Sequence, residues 1–213
     1  MAALCRKYRV PFVVDAAQSA GAMPVKLREL GADYIAMPGH KGLLGPQGTG
    51  LLLCGDVPKP LLQGGTGNLS RLQTMPQELP ERLEAGTVNV PGIAGLGAGL
   101  RLVQRMGIDR IFAREAAAAA SCAKGLEKLG FTVFSGESQG GTVSFVGKTD
   151  CEELAEKLGK RDVAVRAGLH CAPLAHESAG TLETVTVRVS FGHDASREQV
   201  QKFLHIMEDL QNK

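Results

Sequence analysis

Residues 37–54 read MPGHKGLLGPQGTGLLLC, a stretch with five glycines, two prolines and one lysine, Lys41. Apolar runs flank it, DYIAM before and LLLC after, so the chain reverses there between two strands. Glycine at this density serves a place where backbone must come close to something that a Cβ would keep away. The strands on either side are short and apolar, as in a parallel or mixed sheet covered on both faces.

The rest of the first half fits that sheet. MAALCRKY has the pattern of a helix end, with Met1, Leu4 and Cys5 on one face, before the composition turns to strand over 10–14. A short helix over 25–30 and strands over 33–37 and 49–54 follow. Residues 63–89 are irregular and rich in Gly, Thr and Pro, too long for an ordinary connection and therefore a candidate functional loop. Pro91 then suits a first helical turn, and Ile93, Leu96, Leu100 and Val103 recur at helix spacing up to Gly107, a helix suited to linking two domains.

A long Ala-rich helix is expected over 108–129, where the run AAAAA is explained by helix propensity alone. Strands over 131–134 and 141–146, a helix over 150–158 and strands over 163–166 and 185–190 come next. Ser196 opens the last helix with a Ser-x-x-Gln capping box, and Val200, Phe203, Leu204, Met207 and Leu210 share one face. The second half therefore reads as a small α+β unit with helices on one side of a sheet.

The 213 residues are 44% hydrophobic, ample for a packed core, and the 24 Lys+Arg against 22 Asp+Glu leave a net charge of only +2. Nothing in that balance favours nucleic acid or an anionic membrane as partner, which leaves a small molecule or another protein. No apolar run reaches membrane-spanning length and the N-terminus lacks the apolar core of a secretory signal, so a cytoplasmic location is expected. The five cysteines (Cys5, Cys54, Cys122, Cys151, Cys171) form no C-x-x-C pair, so neither a disulfide framework nor a metal site is expected.

Candidate chemistry begins at strand ends. Asp15 follows the apolar run of PFVVD, where open α/β sheets meet their ligands, and it reads equally as a helix cap or loop acid. Lys41 follows DYIAM in the same way. A lysine there that loses its water has a lowered amine pKa and forms a Schiff base with a carbonyl, whereas one that keeps its water is a surface charge. As a pair, an acid to face a pyridinium nitrogen and a lysine to bond an aldehyde carbon are the two protein groups that pyridoxal phosphate chemistry requires. Cys171, in VAVRAGLHCAPLAH, reads either as a nucleophile or as a small buried hydrophobe.

D-A-A-Q-S-A-G followed by G-H-K-G-L-L-G-P-Q-G-T-G resembles the class V aminotransferase group of fold-type I enzymes. Within that group it resembles the cysteine desulfurase and selenocysteine lyase family, over nearly all of the chain. The resemblance implies an α/β fold: residues 1–92 as the C-terminal part of a cofactor-binding large domain, 93–107 as a linking helix and 108–213 as a small α+β C-terminal domain. It implies pyridoxal 5'-phosphate as cofactor, with Lys41 as the Schiff-base lysine, Asp15 as partner of the pyridine nitrogen, Gln18 as donor to the ring hydroxyl and His40 against the phosphate. In EAGTVNVPGIAGLGAGL, Thr87 matches a threonine that reaches the phosphate of a neighbouring subunit, and Gly64 and Gly65 match a glycine pair that approaches the partner's site. Both matches imply a homodimer. VAVRAGLHCAPLAH resembles the Arg-x-Gly-x-His-Cys loop of the desulfurases, which makes Arg166 the clamp on the substrate carboxylate and Cys171 the nucleophile that takes sulfur as a persulfide. Arg188, in TVRVSFG, is a second carboxylate-binding or a structural arginine. His170 either orients the cysteine and shuttles protons or only packs.

Two departures accompany the resemblance. Pro38 stands where the family usually places Ser or Thr, so a hydroxyl and an amide donor to the cofactor phosphate are missing. Family members are also about twice as long, so the chain is expected to be the C-terminal part of such an enzyme, entered within the helix before the Asp15 strand. The implied activity is removal of sulfur from L-cysteine to give alanine and a persulfide on Cys171, with a sulfur-acceptor protein as a further partner. The alternatives are a non-catalytic or split fragment that needs a separate N-terminal half, and a class V aminotransferase or selenocysteine lyase.

Overall fold

The computed structural model describes residues 1–67, 69, 71–136 and 139–211. The chain divides into two compact units, Met1–Asp109 and Arg110–Lys213. Among the described residues no helix is long and apolar enough to cross a membrane.

The first unit opens on helix α1, Ala2–Tyr8, which ends where Arg9 turns left-handed and its N–H reaches the Arg6 and Cys5 carbonyls. No residue of α1 is buried; of the expected apolar face Met1 and Leu4 are exposed and Cys5 is half-buried. Strand β1 (Val13–Asp15), the single-turn helix α2 (Leu27–Leu30), strand β2 (Tyr34–Pro38) and strand β3 (Gly50–Cys54) follow. The sheet order is β1-β2-β3, with β1 parallel and β3 antiparallel to β2. Asp33 locks the entry to the parallel pair, since its carboxylate accepts from the Phe12 N–H at 2.6 Å and its own N–H donates to the Phe12 carbonyl at 2.8 Å.

Alternation along these strands sorts the side chains cleanly. Ile35 and Met37 are buried on one face with Ala16, Ala20, Leu43 and Leu96, and Val14 and Leu51 pack against them. The other face carries the register row Asp15, Ala36 and Leu52, all exposed. The sheet was expected to be covered on both faces; within this unit it is covered on one, and Val13 and Leu52 are 58% and 49% exposed.

Beyond β3 the long connection is irregular apart from a 3-10 turn at Glu81–Leu83. Arg82 organises it, donating from Nε to the Pro58 carbonyl at 2.9 Å and from Nη1 to the Pro76 carbonyl at 3.0 Å. Helix α3 (Val90–Met106) starts where the Asn89 side chain accepts from the Gly92 N–H at 3.0 Å, with proline in the first turn, and stops at Gly107. Its buried stripe is Gly92, Leu96, Gly99 and Val103, the spacing of a single helix face.

Helix α4 (Ile108–Lys128) carries the chain into the second unit. There β4 (Thr132–Phe134), β5 (Thr142–Val146), α5 (Cys151–Gly159), β6 (Arg166–Gly168), α6 (Pro173–Ala179), β7 (Thr186–Ser190) and α7 (Arg197–Gln211) complete the fold. The four strands form an antiparallel sheet in the order β4-β5-β7-β6. Its core joins Val143, Phe145 and Val187 of the sheet to Ala119, Cys122 and Leu126 of α4 and to Val200, Phe203 and Met207 of α7. Phe131 meets Phe145 edge to face at 5.3 Å, and each such fully buried side chain contributes roughly 1.5–3 kcal/mol. A Cβ on Gly125 of α4 would fall 2.3 Å from Leu204 Cδ1, so α4 and α7 approach closely there. The capping box of α7 is formed, with the Ser196 N–H donating to Gln199 Oε1 at 2.8 Å and the Gln199 N–H to Ser196 Oγ at 3.2 Å.

Candidate active site

Contact explains the glycines between β2 and β3. A Cβ on Gly42 would lie 2.4 Å from the Ala20 carbonyl oxygen, and one on Gly21 would lie 2.0 Å from the Gly42 carbonyl oxygen, with Gly21 also at φ +89°. The loop after β1 and the loop after β2 therefore touch backbone to backbone. Helix α3 closes on the second loop in the same manner, since a Cβ on Gly99 would meet the Leu43 carbonyl oxygen at 2.4 Å.

This packing brings four of the predicted residues to one end of the sheet. Asp15 ends β1 and Gln18 lies on the loop after it, His40 and Lys41 lie on the second loop, and all four are exposed. Asp15 Oδ1 accepts from the Ala17 N–H at 2.8 Å, so one oxygen serves the turn as a loop acid does. Its Oδ2 has no partner among the described residues. Among the described residues of this unit, Lys41 is exposed. A shallow hollow of about 440 Å³ lies beside this group, bordered by Asp15, Pro38, Gly50, Leu52 and Glu84. Even-numbered residues of β2 face β1, as Ala36 shows by accepting from the Ala16 N–H at 2.8 Å. Pro38 therefore spends its missing donor past the end of β1, where no ladder bond is lost. Carboxylate, amide, imidazole and amine at one end, on loops too tight for side chains between them, fit a flat ring with a basic nitrogen at one edge and an aldehyde at another.

Thr87 stands at a different place. It lines an open groove of about 550 Å³ with Gly65, Thr66, Gly67 and Glu84, and the Gly86 N–H ties the groove's two sides by donating to the Gly65 carbonyl at 2.7 Å. Among the described residues the atom nearest a Cβ built on Gly64 is 3.6 Å away, and none lies within 4 Å of one built on Gly65. Packing against the described residues therefore does not demand glycine at either position.

In the second unit, Arg166 and Arg188 are direct partners across β6 and β7. Like charges face to face on a sheet are unfavourable unless an anion comes between them. Arg188 Nε is buried and has no hydrogen-bond partner, so a donor is held out of water with nothing yet to receive it. The strand expected over 163–166 begins only at Arg166, because the ladder to β7 runs over Arg166–Gly168. Val163 and Val165 are partly buried against the core instead. Helix α6 was not anticipated; seven residues with few apolar anchors give little periodicity to read.

Between β6 and α6 the chain makes a tight turn closed by the Ala172 N–H, which donates to the Leu169 carbonyl at 2.8 Å. Its two central residues, His170 (φ 52°) and Cys171 (φ 60°), are both left-handed. Cys171 is exposed and free, whereas Cys122 and Cys151 are buried. Burial pushes the Cys122 thiol up to about 12 and, with the Asp150 charge adding, raises that of Cys151. The turn thus removes the reading of Cys171 as a buried hydrophobe. His170 is half-buried, with Nε2 at 3.1 Å from the Thr186 carbonyl oxygen and 3.0 Å from Thr186 Oγ1. Burial holds its imidazole below the usual range, the bond to Thr186 opposes this, and the charges of Arg188, His176 and Arg166 add to the depression. His176, to which no role was given from sequence, is buried, bonded through Nδ1 to Thr181 Oγ1 at 2.9 Å and 5.8 Å from the His170 ring. Thr181 and Thr186 carried no sequence signal, since a threonine near or in a strand is unremarkable until its hydroxyl partner is known. Among the described residues no three His, Cys, Asp or Glu gather as metal ligands.

The family model described as aminotransferase class-V matches residues 1–203. A probable cysteine desulfurase of Pyrococcus abyssi is 37% identical over 210 residues, covering 93% of this chain and 52% of the relative. Another from Methanothermobacter thermautotrophicus is 36% identical over 214 residues, with the same two shares. The chain thus spans about half the length of these curated relatives. The solved apo cysteine desulfurase of Thermococcus onnurineus NA1 superposes with a TM-score of 0.87 at 35% identity, covering 98% of this chain and 54% of that one. The cysteine desulfurase CsdA of Escherichia coli gives 0.85 at 25% identity, with shares of 99% and 54%. The fold is accordingly the mixed α/β fold of these enzymes, present in part.

Proposed function

The chain belongs to the class-V aminotransferase family, and from that premise we propose that it carries the lysine-bearing and cysteine-bearing portions of a pyridoxal phosphate-dependent cysteine desulfurase. The observation that carries the reading is the turn that exposes Cys171 directly after β6, the strand whose Arg166 faces Arg188. Two guanidinium groups that face each other take a carboxylate in bidentate fashion, and an exposed thiol is open to a substrate's sulfur.

Pyridoxal phosphate, when bound, supplies the electron sink that stabilises negative charge on a substrate amino acid. The residues of this chain do the rest. Asp15 offers its free carboxylate oxygen to a protonated ring nitrogen and Gln18 its amide to a ring hydroxyl. Lys41 would hold the cofactor at its aldehyde, and its amine would carry protons to and from the substrate. Arg166, aided by Arg188, holds the carboxylate of L-cysteine. The Cys171 thiolate attacks the substrate sulfur, so that an S–S bond forms as the substrate Cβ–S bond breaks. A proton then replaces sulfur on Cβ, leaving alanine and a persulfide on Cys171 for a sulfur acceptor. Thr87, Gly64 and Gly65 fit a role towards a second copy, whose cofactor phosphate Thr87 would reach.

The test is an absorbance titration of the purified chain with pyridoxal phosphate, followed by L-cysteine. We expect a Lys41-dependent visible band, absent in Lys41→Ala, and alanine release that is abolished by Cys171→Ala. Turnover of L-cysteine that survives in full in Cys171→Ala points instead to a class V aminotransferase or selenocysteine lyase reaction. The uncovered face at Asp15, Ala36 and Leu52 favours a second reading, in which a separate polypeptide must cover that face before cofactor binds. A band that appears only when the N-terminal half of a related desulfurase is added supports it, and a band in neither case overturns both.

A further inference from the structure

We propose that Thr186 is a positioning residue for Cys171, acting through His170. Three non-glycine residues adopt left-handed backbone at this end of the sheet, His170, Cys171 and Val185. Two of them form the centre of one turn. Turns of that hand are normally built from Gly, Asn or Asp, and left-handed non-glycine residues persist only where surrounding structure holds them. Here one residue reaches the turn from the neighbouring strand. Thr186 is 3% exposed and is the ladder partner of Gly168, the last residue before the turn. Both its carbonyl and its hydroxyl oxygen lie within hydrogen-bond distance of His170 Nε2.

The chemistry of those two contacts also sets the proton on the ring. A carbonyl only accepts, so Nε2 carries the hydrogen and donates it to Thr186. The other nitrogen, Nδ1, is buried without a partner. Left as a bare acceptor it costs less than an orphaned N–H would, so the two ends of the ring agree on one tautomer. The groups facing this ring are Arg166 on β6, Arg188 on β7 and His176 on α6, and an uncharged imidazole avoids adding a third cation beside the two arginines. Thr186 thereby holds the turn and fixes which ring nitrogen of His170 carries the hydrogen. The inference concerns the presentation of the thiol; it draws on the desulfurase reading only for what that thiol does next.

The experiment follows alkylation of Cys171 by iodoacetamide against pH, read at that residue by peptide mass spectrometry, in the wild-type chain, Thr186→Val and Thr186→Ser. Valine keeps the shape and removes the hydroxyl. The expected result is a Cys171 alkylation rate lowered roughly five-fold in Thr186→Val, the weight of one hydrogen bond, with a shifted pH midpoint and an unchanged far-ultraviolet spectrum. Thr186→Ser should restore the wild-type profile. Identical profiles for Thr186→Val and wild type overturn the proposal. If Thr186→Val does not fold, the imidazole nitrogen shifts of His170 in the wild-type chain decide: a neutral Nε2–H ring supports it, and a Nδ1–H or charged ring overturns it. None of these readouts needs cofactor. Absence of persulfide on a normally reactive Cys171 would therefore count against the desulfurase reading alone.

Discussion

Gly21 and Gly42 meet where two loops cross, and each occupies space that the other's backbone needs. Any side chain at Gly21 has two faults, a left-handed φ of +89° and a Cβ 2.0 Å from the Gly42 carbonyl oxygen. Gly21→Ala is therefore expected to destabilise the first unit by roughly 2–3 kcal/mol, seen as a lower denaturant midpoint. A spectroscopic probe at Lys41 should move with it, because the lysine sits one residue from Gly42. An unchanged midpoint would mean that the loops separate easily. This contact is the physical content of the glycine-rich reversal that the sequence displays. The sequence shows that backbone comes close there; it does not show that the other party is the loop carrying Gln18, since that depends on two strands lying side by side.

At the scale of elements, the legible ones are those whose ends are written in side chains. Helix α5 begins at Asp150, whose carboxylate accepts from the Glu152 and Glu153 N–H groups at 2.9 and 3.1 Å. Helix α7 begins at its capping box, and α3 at Asn89. Each was anticipated within a residue or two, because a cap is a local event. Asp150→Ala is expected to cost about 1 kcal/mol, measured as a lower melting temperature of the second unit, and Asp150→Asn should recover most of it. The elements misplaced or missed are β6 and α6. They meet at the His170–Cys171 turn, whose shape is imposed by Thr186 from a strand many residues later. The arginines and the cysteine could be picked from their resemblance to a family motif, but the residue that poses them could not.

For the whole chain, pH acts on the second unit through His170. Its imidazole is held below the ordinary value of 6.5, so on acidification the unfolded chain takes a proton before the folded one does. Stability is then greatest above the unfolded value, falls as pH drops through it, and levels off below the depressed folded value. Thermal melts between about pH 5 and 8 should show the second unit losing stability towards acid, and His170→Asn should flatten that slope. A slope that is the same in both proteins assigns it to other groups. The first unit has a different kind of exposure. Phe12 and Ala16 spend their backbone groups on β2, so those of Val13 and Asp15 between them point outward, and Val10 and Val13 stand exposed at 51% and 58% beside that edge. A bare edge of this sort is a template on which another strand can be laid down, and main-chain pairing is indifferent to whose strand it is. Pairing of two copies along this edge is expected to grow with protein concentration, and sedimentation velocity at two concentrations checks it.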